Sequence, residues 1–102
     1  MTPVSCTGDD MRVHDNCIIF KSALPNYWKE LTGRKPNTVR EISYPEVSKW
    51  GLAVTDDGVL TSDGKFVCTI GIELVDEPTE YFTRELTDVT VYEGRYIFSW
   101  RT

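Results

Sequence analysis

At 102 residues the chain has room for one domain core, and its formal net charge of −5 argues against broad electrostatic binding of duplex DNA. Forty per cent apolar residues can fill a packed interior, and no apolar run approaches the roughly 18 residues of a membrane-spanning helix. Cys6, Cys17 and Cys68 are odd in number without Cys-x-x-Cys spacing and read as free thiols rather than a disulfide frame or zinc site. His14, the only histidine, has no partner at a recognisable interval, which argues against a metal site and an ordinary Ser/Cys–His arrangement.

In chain order, residues 1–11 read as a loose arm without the basic start and apolar run of a secretory signal, and residues 12–102 as a single domain. Residues 17–20 form a short apolar run, the first buried strand. Leu24, Tyr27, Trp28 and Leu31 fall on one helical stripe, which predicts a helix over 23–32 with Trp28 and Leu31 buried. Ser22 is its expected cap, and Pro25 fits its first turn. Gly33 stands where a helix end takes a left-handed residue, and Pro36 prevents helical continuation. Thr38-Val39-Arg40 then begins a strand, with Thr38 and Arg40 on one face and Glu41-Ile42 as its extension. Pro45 opens a short helix over 46–50 that Gly51 caps, with Val47, Trp50 and Leu52 turned inward.

The second half changes period. Asp56-Asp57-Gly58 and Ser62-Asp63-Gly64 are turn signals on either side of a strand at 59–61. Residues 65–75 read as one long strand, with Phe66, Cys68, Ile70, Ile72 and Leu74 on one face and Val67, Thr69, Gly71, Glu73 and Val75 on the other. A turn at 76–79 leads to a strand at 81–92, and Glu93-Gly94 turns into another at 95–100. The whole reads as an α+β architecture with one or two short helices, either a small mixed β-barrel or an open sheet with a helix packed on it.

Charge is unevenly distributed. Residues 21–49 carry Lys21, Lys29, Arg34, Lys35, Arg40 and Lys49 against Glu30, Glu41 and Glu46, whereas residues 50–93 are strongly acidic. The positive island suits a small anionic ligand or a few phosphates. At its centre, Gly33-x-Lys35-x-x-Thr38-x-Arg40 resembles the Gly-x-Lys-x-x-Glu-x-Arg motif that follows the first helix of ASCH domains, a branch of the PUA-like superfamily. Thr38 departs from the usual Glu and is similar instead to the bacterial N4-acetylcytidine amidohydrolases within that group. The resemblance spans eight residues and implies a PUA-like barrel that binds a nucleotide, a modified nucleoside or RNA.

In the binding reading, Arg34, Lys35, Asn37, Thr38 and Arg40 contact the ligand, and Tyr44, Tyr27 or Trp28 offers a stacking ring. Trp28 is weighed more heavily as core. In the amidohydrolase reading, Thr38 supplies a hydroxyl, Lys35 a base, and a downstream carboxylate completes the set: Glu73 first, then Glu85, then Glu80. A third reading is a viral or mobile-element accessory protein that meets a host protein through Asp76, Glu77, Glu80, Glu85 and Asp88. No metal or cofactor is called for. The expected state is a cytoplasmic monomer with no membrane partner.

Overall fold

The computed structural model describes residues 11–101. The expected arm at 1–10 lies outside the described residues. Met11 does not belong to an arm: it opens β1 (Met11–His14) and is buried. Asp15, at φ 56°, turns β1 into β2 (Cys17–Ser22), a hairpin that the sequence reading passed over. Helix α1 (Leu24–Leu31) follows, then β3 (Asn37–Glu41), α2 (Tyr44–Trp50) and the short strands β4 (Leu52–Val54), β5 (Leu60–Ser62) and β6 (Lys65–Val67). The chain closes with β7 (Thr69–Leu74), β8 (Glu77–Tyr92) and β9 (Arg95–Trp100).

Six strands form one mixed sheet in the order β1-β2-β7-β8-β9-β3, and β4-β5-β6 form a separate meander. The β2–β7 pair is parallel and the other ladders are antiparallel. Sixteen residues let β8 pair with β7 in its first part and β9 in its second, with an irregular step between Leu86 and Asp88. No ladder among the described residues joins β1 to β3, so the expected barrel is a curled open sheet. The curl is strong. In a flat sheet β2 and β9 would stand roughly 14 Å apart, at about 4.8 Å per strand. Yet the Phe20 and Phe98 rings lie 5.0 Å apart, centroid to centroid.

Ladder partners share a face, so the concave side carries Ile18, Phe20, Ile70, Ile72, Phe82, Val89, Phe98 and Trp100, all buried. Helix α1 adds Tyr27, whose ring meets Phe82 edge-on at 5.4 Å. Leu52, Leu60 and Val67 bring the meander into the same core.

Three expectations need correction. Trp28 is half exposed, because α1 turns Tyr27 and Glu30 inward instead. Ser22 does not cap α1. Ala23 occupies the cap position, and the Ser22 hydroxyl is spent on Glu30. The strand expected over 65–75 is broken at Cys68, whose amide bonds the Asn16 carbonyl outside any ladder. Phe66 is therefore exposed and Val67 buried, reversing the assigned faces there. Helix α2 follows the reading closely: Ser43 accepts from the Glu46 amide, and Gly51 takes the left-handed cap at φ 60°.

Candidate functional site

The positive segment is a welded connection. Gly33, at φ 82°, reverses the chain after α1, and its amide reaches the Glu30 carbonyl. The Lys35 amide bonds the Lys29 carbonyl at 3.0 Å, and the Pro36 carbonyl accepts from the Trp100 amide at 3.1 Å. The connection is thus tied to the helix at one end and to β9 at the other. Arg34 is exposed and Lys35 half-buried, and neither side chain has an ion-pair or hydrogen-bond partner among the described residues.

Alternation then splits the motif. Thr38 and Arg40 pair with Phe98 and Tyr96 and face the concave side, whereas Asn37 pairs with Ser99 and faces outward. The Arg40 guanidinium donates from Nε to Thr38 Oγ1 (2.9 Å), from Nη1 to the Lys21 carbonyl (2.8 Å) and from Nη2 to Ser22 Oγ (2.7 Å). Its Cζ also stands 4.9 Å from the Phe20 ring centroid. Ser22 passes the interaction on, donating its own hydroxyl to Glu30 Oε1 at 2.9 Å. Ser22, Glu30 and Thr38 are 5%, 1% and 3% exposed, so this is an interior polar chain linking β3, β2 and α1. Charge-assisted bonds of this kind are about twice as strong as neutral ones, and they hold the curl of the sheet closed at this point.

The structure brings together Thr38, Arg40, Ser22 and Glu30, and places the other named residues elsewhere. Glu73 pairs with Lys21 and Tyr81 on the convex side, opposite to Thr38, where Arg12 engages it. Glu85 pairs with Thr69 on that same convex side. Glu80 accepts from the Tyr27 hydroxyl at 3.0 Å. Tyr44 is 83% exposed in the first turn of α2. Glu30, the carboxylate that the sequence reading missed, left one usable signal: it lies three residues after Tyr27, on the helical face that α1 buries.

Thr38 is not presented as a nucleophile in this arrangement. Its oxygen is buried and accepts from Arg40, a cation with no proton to take up. Among the sequence-predicted ligand contacts, Arg34, Lys35, Asn37, Tyr44 and the half-exposed Trp28 reach the surface. Burial, followed by the bond to Glu80, raises the Tyr27 phenol to about 12, so it stays protonated as a donor beneath α1. No described helix is long and apolar enough to cross a membrane. No protein-family profile, curated protein or solved structure matches the chain.

Proposed function

We propose that the domain binds a nucleotide, or a modified nucleoside within RNA, through the connection from Gly33 to Arg40, in the manner its resemblance to the ASCH branch of PUA-like domains implies. Lys35 carries the proposal. It is a cation with no partner among the described residues, on a backbone pinned at both ends. With the backbone already fixed, meeting a phosphate oxygen orders only the lysine side chain. Arg34 extends the positive edge, and Trp28 offers a ring face to a base. Thr38 and Arg40 act beneath them, setting the path of β3 through bonds to β2, and Glu30 anchors the same chain from α1.

The division of labour can be tested. Titration of fluorescently labelled short RNA and of single nucleotides should give binding that weakens with salt on a shallow slope, because few phosphates are met. Lys35→Ala and Arg34→Ala should each weaken binding without moving the unfolding midpoint. Arg40→Ala should move the midpoint as well. Absence of binding by the wild type, or equal binding by Lys35→Ala, would overturn the reading.

A further inference from the structure

The convex side of the sheet holds a hollow of about 240 Å³ that the function proposed above does not use. Cys17, Ile19, Gly71, Glu73, Tyr81 and Thr83 bound it, with Arg12 reaching over from β1. Its floor is set by Gly71, which lies between Ile19 and Thr83 in the ladder row and is buried although it faces outward. A Cβ built there would stand 3.4 Å from Cys17 Sγ and from Ile19 Cγ1, so these side chains close around the floor and a larger residue would press on both. Glycine is unfavourable inside a strand, and it commonly marks a place where something approaches the backbone closely.

At the rim, Arg12 donates through both terminal nitrogens to the two oxygens of Glu73. The pair is only partly satisfied by itself. A guanidinium has five N–H donors and a carboxylate about four acceptor positions, so donors and acceptors remain side by side after the pair has formed. The Glu73 side chain is 12% exposed and that of Arg12 49%, so the acceptor is set into the hollow and the donor flanks it. The ring of Tyr81, beside Glu73 in the ladder and 61% exposed, makes an aromatic wall.

We propose that this hollow is a second ligand site that takes an uncharged planar heterocycle with a donor and an acceptor adjacent on one edge, the chemistry of a free nucleobase. Three properties select that class. The volume lies below the ~300–1,000 Å³ of pockets for larger ligands and suits one ring system. The paired rim keeps spare donors on Arg12 beside spare acceptors on Glu73 with no net charge, which matches a neutral edge that carries both an acceptor and a donor. The Ile19 side chain and the aromatic wall of Tyr81 both accept a flat ring at van der Waals distance. Burial raises the Cys17 thiol above its usual range, which keeps it neutral and suits it to an apolar wall.

The site faces away from Thr38 and Arg40, so its test is independent of the motif. Amide chemical shifts of the whole chain are followed by NMR while cytosine or adenine is added, with benzoate and benzylamine as flat charged controls. The free bases should move the amides of Cys17, Gly71 and Thr83 in a saturable way. Gly71→Val fills the floor and Tyr81→Ala removes the wall, and each should weaken binding by roughly tenfold or more, a factor worth about 1.4 kcal/mol. Tyr81 is exposed, so Tyr81→Ala decides the matter even if Gly71→Val fails to fold. No saturable shift at those amides, undiminished binding by Tyr81→Ala, or tighter binding of either charged ring would overturn the proposal.

Discussion

Replacing Arg40 with methionine tests how the curled sheet is held. Methionine keeps much of the aliphatic bulk over Phe20 and removes, among the described residues, the bonds donated to Thr38, the Lys21 carbonyl and Ser22. At roughly 1.5–3 kcal/mol for each bond to a charged group, the gross loss is about 5–9 kcal/mol. Two effects reduce it. The guanidinium is half-buried, so water can reach part of what it leaves behind, and Ser22 still donates to Glu30. A third effect acts the other way, because Glu30, 1% exposed, would then be a buried carboxylate whose hydroxyl partner has lost its cation. Partial exposure of the guanidinium brings the expected net loss down to about 3 kcal/mol.

Urea unfolding followed by tryptophan fluorescence measures this directly. With a slope of about 1–2 kcal/mol/M, a loss of about 3 kcal/mol lowers the midpoint by roughly 1.5–3 M. Glu30→Leu alone should cost less, since Arg40 keeps its acceptors on Thr38, Lys21 and Ser22. Combining the two should cost about 1–2 kcal/mol less than their sum, because the double variant leaves no unpaired carboxylate. Arg40→Lys should recover little, since one ammonium cannot reproduce a planar fork. A loss below about 1 kcal/mol with an additive cycle would refute the reasoning and make Arg40 a solvated surface group.

Two further outcomes follow from α1. Tyr27→Ala should cost about 3–5 kcal/mol, whereas Trp28→Ala, at a half-exposed position, should cost about 1 kcal/mol or less; the two unfolding midpoints compare them. Tyr27 also sets an alkaline limit: its folded phenol is held up at about 12, while an unfolded phenol titrates near 10. The fold binds that proton more tightly, so this stabilisation is complete below about pH 10 and is lost as pH rises towards about 12. Wild-type stability should therefore fall between about pH 9 and pH 11.5 more steeply than that of Tyr27→Phe, and equal slopes would refute the assignment.

Local signals in this sequence are clear, and the structure follows them where one residue has one job. Pro45, Glu46 and Gly51 marked α2, and Gly33 marked the end of α1. Misreadings arose where a polar residue has an internal partner. Glu30 looked like a solvent residue, so the apolar stripe was drawn through Trp28. In the fold, the hydroxyl of Ser22 makes a buried position possible for Glu30 and rotates the stripe away from Trp28. Alternation alone also carried one strand through Cys68, because period two cannot register a chain that leaves one sheet and enters another. Glu73 was assigned correctly to the face opposite Ile70 and Ile72, but that face is the convex one. Thr38 lies on the concave face, so the two stand on opposite sides of the sheet, a relation set by pairing between strands far apart in the chain and not by local alternation.

Under the proposed reading, Thr38 in place of the motif's glutamate has a physical counterpart elsewhere in the chain. That glutamate would bring a carboxylate next to the Arg40 guanidinium within β3. Thr38 supplies an oxygen at that position without the charge, 2.9 Å from Arg40 Nε. A carboxylate reaches the same guanidinium from the helix instead, because Ser22 accepts from Arg40 while donating to Glu30. Relocating the acid has two consequences. It ties α1, which presents Trp28, to β2 and to the strand β3 that follows the connection presenting Lys35. It also leaves the strand face beneath Lys35 with a hydroxyl rather than a carboxylate, and an approaching phosphate meets less opposing charge there than it would over a glutamate.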